Sequence, residues 1–146
     1  MEIDVRREAV KLFNETWDLI DIKERTPEQE AQMLHKAHAS RYLWGLVGES
    51  KNFSRGEWQV SRVYAELKMG APALLHGKLS LDIAEKNNLE AHDLAFGHEA
   101  VARAYGLLGE NDNAAAHKAK GLEAAATLAN KEDREYAESE INNIVC

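Results

Sequence analysis

Residues 53–67, FSRGEWQVSRVYAEL, return 41 positions later as residues 94–108, LAFGHEAVARAYGLL. Phe53, Gly56, Val60, Ser61, Arg62, Tyr64 and Leu67 align with Leu94, Gly97, Val101, Ala102, Arg103, Tyr105 and Leu108. The correspondence continues into the next segment, where Ala73, His76, Ser80 and Leu81 fall opposite Ala114, His117, Gly121 and Leu122. Within each copy the apolar residues sit at helical spacing. Phe53, Val60 and Leu67 share one face, and Leu94, Val101 and Leu108 repeat it. A unit of this length is a helical hairpin that cannot bury its apolar face alone and stacks on a copy of itself.

Working outward from the repeat, punctuation and periodicity predict seven helices, at about 3–23, 27–47, 52–69, 72–87, 89–109, 112–129 and 131–145. No segment carries the period-2 alternation of a strand. Thr26-Pro27-Glu28-Gln29 reads as an N-cap, a proline in the first turn and a capping-box glutamine. Ala71-Pro72 reads as a second proline start, and Asn88, Asn130 and Asn111-Asp112 as further starts. Gly48, Gly70 and Gly109 end apolar runs, where a residue at positive φ closes a helix. Short connections make neighbouring helices antiparallel. The expected fold is therefore all-α, a stack of three antiparallel hairpins (about 3–47, 52–87 and 89–129) with helix 131–145 capping the open end. His35 and Ala39 stand 41 residues before His76 and Ser80, which makes helix two the second half of a degenerate first hairpin. Val10, Phe13, Trp17 and Ile20 form the expected buried stripe of helix one, and Met33, Ala37, Ser40, Trp44 and Val47 that of helix two. Ala137, Ile141 and Ile144 give helix seven its apolar face.

A chain of 146 residues reads as one domain, 1–146, with room for a core that needs no cross-links. Its single cysteine, Cys146, excludes an internal disulfide framework and suits a reducing, cytoplasmic setting. The charged start, MEIDVRREAV, does not read as a secretory signal, and no apolar run is long enough to span a membrane. A net charge of −7 speaks against nucleic acid as a partner, because affinity for a phosphate backbone comes from clustered Lys and Arg.

The repeat resembles the tetratricopeptide repeat, over about residues 52–129 and more weakly over the rest. The family's first-helix pattern W-x2-L-G-x2-Y is met by Val60, Ser61 and Tyr64, and by Val101, Ala102 and Tyr105. Glu57 and His98 stand where its tryptophan would be. On the second helix Ala73 and Ala114, then Ser80 and Gly121, match the family's small positions, while Gly77 and Lys118 replace its aromatic. The repeat is 41 residues rather than 34, which longer helices would absorb. The chain is also similar to a small bacterial group built on such repeats. The resemblance implies a right-handed α-α superhelix with a concave groove lined by selected positions of each first helix. Carried over by register, the groove positions are Arg55, Trp58, Gln59, Arg62 and Glu66, followed by Phe96, Glu99 and Arg103. Arg62 and Arg103 would stand side by side, and an arginine fork grips carboxylates in bidentate fashion. The same two arginines could instead pair with Glu66 and Glu99.

Other chemistry is sparse. No P-loop, G-x-G-x-x-G or G-x-S-x-G is present. His98-Glu99-Ala100-Val101-Ala102 begins like a metalloprotease HExxH motif but ends in alanine. His35, His38, His92 and His98 form a weak alternative metal set that requires two helices to converge. His76 and His117 hold equivalent repeat positions and read as packing residues. The sequence thus points to a non-catalytic module without cofactor that binds a protein or peptide segment, an acidic one being a candidate. The alternatives are a homodimer or larger self-assembly through helix one or seven, and a His-based metal protein or small enzyme.

Overall fold

The computed structural model describes residues 3–145, so Cys146, which the sequence places at a frayed end, lies outside the described residues. These residues form seven helices and no strand. They are α1 (Val5–Ile20), α2 (Pro27–Val47), α3 (Ser50–Glu66), α4 (Gly70–Lys86), α5 (Ala91–Leu107), α6 (Asn111–Ala125) and α7 (Lys131–Asn142). None is long and apolar enough to cross a membrane.

The starts follow local chemistry. At α2 the Thr26 hydroxyl accepts from the Gln29 amide (3.2 Å) while the Gln29 side chain accepts from the Thr26 amide (2.8 Å), the reciprocal box expected from the sequence. Asn130 caps α7 by accepting from the Asp133 amide. Two starts differ from expectation. Asn88 does not open α5, whose N-cap is Glu90, and α4 begins at Gly70, two residues before Pro72. Gly70 therefore opens a helix instead of closing one, and Gly48 lies in extended backbone at φ −99°.

The left-handed closures fall at Lys68 (φ 59°), Asn88 (φ 50°) and Gly109 (φ 75°). Each is followed by the same return bond: the Met69, Leu89 and Glu110 amides donate to the Tyr64, Ala84 and Tyr105 carbonyls at 2.9–3.0 Å. These are Schellman closures, which satisfy carbonyls the helix end would leave open. Lys68 and Gly109 are repeat equivalents, so the turn geometry repeats although the residue does not.

Packing is heaviest within the pairs α1–α2, α3–α4 and α5–α6, with α2–α3, α4–α5 and α6–α7 joining them. The odd-numbered helices also touch in series, α1 to α3, α3 to α5 and α5 to α7. Small residues make these approaches possible. Ala73, Ala102 and Ala114 are fully buried, and the Ser54 and Ser80 hydroxyls each donate to the other's carbonyl across the α3–α4 contact. A side chain at Gly97 would press its Cβ to 3.1 Å from the Leu81 backbone, tighter than most Cβ contacts, so the close approach of α5 to α4 favours glycine here.

Helix one departs from the expected stripe. Ala9, Thr16 and Ile20 are its buried residues, Val10 is 42% exposed, and Phe13 and Trp17 are only partly covered. Ile20 is buried as expected, while Ala9 and Thr16 take the buried places expected for Val10 and Trp17, and the small Ala9 lets its carbonyl accept from the buried Ser40 hydroxyl of α2 at 2.8 Å. Trp44 is buried as expected, whereas Trp17 stands at the edge of both core clusters.

Candidate functional site

Four odd-numbered helices and one edge of α4 enclose a cavity of about 270 Å³. Its wall is aromatic: Phe13 and Trp17 from α1, Trp58 from α3, His92 and Phe96 from α5, and Tyr136 from α7. The rings form a connected series. Trp17 lies 5.4 Å from Trp58, Trp58 meets Phe96 edge-on at 5.7 Å, and Phe96 lies 6.0 Å from Tyr136. Spacings of this order are those at which rings attract through their quadrupoles.

The polar lining is Ser54, Arg55, Ser80 and Asp93. Both serine hydroxyls are already committed to backbone carbonyls. Arg55 Nε donates to Asp93 Oδ1 at 2.8 Å, joining an exposed guanidinium to a carboxylate that is almost wholly buried. Burial pushes the Asp93 carboxyl up, but His92 and Arg55 beside it outweigh burial and hold it below the usual aspartate value.

Behind the pocket runs a chain of charges. Arg25 pairs with Glu66 (3.3 Å), Glu66 with Arg62 (3.1 Å), and Arg62 with Glu140 (3.6 Å). Glu140 also lies 3.7 Å from Arg103, which bonds Glu99, and Glu99 accepts from the Trp58 indole at 3.2 Å. Glu99 is fully buried, and its Oε2 has no hydrogen-bond partner. Burial works against the Arg62 charge, but Glu99, Glu66 and Glu140 prevail and raise its pKa. Glu140 therefore ties α7 to both α3 and α5.

Seven of the eight expected groove residues divide between these two features, and Gln59 belongs to neither. Arg55, Trp58 and Phe96 meet in the cavity. Arg62, Glu66, Glu99 and Arg103 belong to the ionic chain, with the i,i+4 pairs the sequence allowed. Gln59 is fully buried and donates to the Phe13 carbonyl at 2.9 Å. Phe13, Trp17, His92, Asp93 and Tyr136 complete the cavity without having been expected there. A signal existed for part of this. Trp17 stands 41 residues before Trp58, and Tyr136 stands 41 after Ala95, itself the equivalent of Ser54. Of these two spacings only the Trp17–Trp58 one pairs like residues.

The four histidines of the alternative set are not brought together. His35 is exposed on α2, His38 bonds the Tyr64 hydroxyl (2.9 Å), His92 lines the cavity, and His98 bonds His117 (3.0 Å between Nδ1 atoms). Among the described residues no three His, Cys, Asp or Glu side chains are grouped to hold a metal. Two equivalent pairs appear instead. His76 Nδ1 bonds Glu57 (2.7 Å) and stacks on Tyr64, while His117 bonds His98 and stacks on Tyr105. Arg41 also donates to Glu57, from α2, so it has no place near the cavity. No protein-family model, curated protein or solved structure matches this chain.

Proposed function

We propose that this chain is a non-catalytic interaction module, built as a tetratricopeptide-like stack of three hairpins with α7 as its cap, and that a partner segment anchors one side chain in the aromatic cavity. The observation that carries this is the cavity itself: half of the chain's ten Phe, Trp and Tyr residues line one opening. Aromatic residues left partly open beside an arginine are what binding hot spots are made of. A volume of about 270 Å³ lies just below the range of small-molecule pockets, which suits one inserted side chain. The serial contact of α1, α3, α5 and α7 supports a continuous face along which the rest of a segment could lie. A nucleophile with an adjacent base does not line the cavity, since its two serines are bound to carbonyls.

The twin arginines serve this reading less directly. Arg62 and Arg103 are each shared by two carboxylates, so an acidic segment would have to displace Glu140 to reach them. Selection from a random peptide library displayed on phage tests the proposal. Enriched peptides should bind the wild type and lose binding to Trp17→Ala, with helix content unchanged by circular dichroism. Peptides that bind both proteins alike, or a library that yields none, would refute it.

A second reading rests on α4. Leu75 and Leu79 stand one turn apart on the same face and are 58% and 40% exposed. An apolar strip of that kind suits self-association. A strictly monomeric mass in solution at micromolar concentration would remove it.

A further inference from the structure

The cavity combines aromatic rings with one buried carboxylate that an arginine already holds, and that combination is selective. We propose that its ligand is a methylated ammonium group, carried on a lysine side chain of the partner segment. The proposal rests on the interaction-module reading and adds the chemistry of the anchor.

Three observations support it. First, a cation is attracted to ring faces within about 6 Å of their centroids, and Trp is the strongest such partner. Trp17, Trp58, Phe96 and Tyr136 supply four rings in one wall. Trp58 is further enriched in electron density because its indole N–H donates to the Glu99 carboxylate. Second, the surrounding charge favours a cation. The lining itself is neutral, one Arg55 against one Asp93. Around Tyr136, however, Glu140, Glu99 and Asp21 act against Arg62, and together with burial they raise the phenol's pKa. A carboxylate ligand would meet the rings and Asp93, and would have to displace Asp93 to gain Arg55.

Third, the polar groups discriminate between ammonium types. A primary ammonium carries three N–H donors that each need an acceptor when water is stripped away. Ser54 and Ser80 are engaged with each other, and Asp93 is engaged by Arg55. His92 Nδ1 is buried without a hydrogen-bond partner, 3.9 Å from Asp93 Oδ1. An unmethylated lysine would have to compete with Arg55 for Asp93 to satisfy its donors. A trimethylated one has none, and its methyl groups pack against the rings.

The test is a titration of 15N-labelled protein with Nα-acetyl-trimethyllysine amide, read from the three indole N–H resonances. Trp17 and Trp58 should shift together, and Trp44, which lies under Arg6 on α2, should not. The unmethylated lysine amide and the neutral analogue 3,3-dimethylbutanol should each bind about tenfold more weakly or worse. Tyr136→Leu, at a half-exposed site where the fold is not at stake, should weaken the trimethyllysine amide severalfold. Equal binding of the neutral analogue would overturn the cation preference while leaving an apolar anchor, and with it the interaction module, intact. Tighter binding of choline than of the trimethyllysine amide would overturn the lysine source. Absence of any shift with the trimethyllysine amide would overturn the inference outright, whereas the module reading falls on the peptide selection, if the library yields no binder or pocket variants leave peptide binding unchanged.

Discussion

Acid should weaken this fold well above the pH at which carboxylates titrate, and the α5–α6 histidine pair is the reason. His98 is 9% exposed, and its Nδ1 lies 3.0 Å from the Nδ1 of His117. One proton can bridge two such nitrogens, but two protons cannot share the space. Burial first, then His117 and Lys120, lower the His98 pKa from 6.5 to about 4. The unfolded chain takes up a proton near the ordinary value while the folded chain does not until far lower. The unfolded state therefore binds more protons between these limits, and stability falls as pH drops through the window. From those two values, His98 alone removes about 2 kcal/mol between about pH 7 and pH 5. His117 and His38 are lowered mainly by burial too, and act in the same direction. Glu57 and Asp93 are held below their usual values, so their contribution is lost only at more acid pH. A domain of this size has roughly 5–15 kcal/mol in total, so the effect is large enough to read. Urea unfolding followed by far-UV circular dichroism at both pH values measures it, and His98→Gln, which cannot titrate, isolates it. A wild-type stability unchanged between the two pH values would refute the reasoning. So would a His98→Gln variant that loses as much stability as the wild type.

Two further outcomes follow from the backbone and the ionic chain. Glu99→Ala leaves Arg103 and the Trp58 indole without their buried partner and should lower unfolding free energy by about 3 kcal/mol; in urea titrations a loss below about 1 kcal/mol would show that Glu140 replaces it. Lys68 holds a left-handed conformation that its repeat equivalent gives to glycine. Lys68→Gly should raise stability by up to about 1 kcal/mol and Gly109→Ala should lower it by a similar amount, with thermal unfolding deciding the signs.

Much of the helical framework was legible because its determinants are local. Thr26 and Gln29 lie in one turn, and the pairing of residues 53–67 with 94–108 needs only a comparison of the chain with itself. The closures were less legible. A left-handed turn was expected at three glycines, yet Lys68 and Asn88 adopt it, since the Schellman bonds recover enough to hold a non-glycine residue there. The candidate site was half legible. Register placed Arg55, Trp58 and Phe96 together, while Trp17 and Phe13 read as core because a stripe of apolar residues looks the same whether it is covered or faces a cavity.

The sequence by itself determined that the described chain is helical, where most helices begin and end, and which two segments are copies, because caps, periodicity and self-similarity act over short distances or are visible without a fold. Only the tertiary structure decided that Arg62 and Arg103 are bridged by Glu140 and that Tyr136 closes an aromatic wall begun by Trp17. It also decided that the histidines meet in pairs and not in one cluster. Those outcomes depend on how α7 packs against α5 and α6, which brings Glu140 within reach of α3, and on the rotation of α1 about its own axis. Both are set by the packing of many residues at once and by no single local motif.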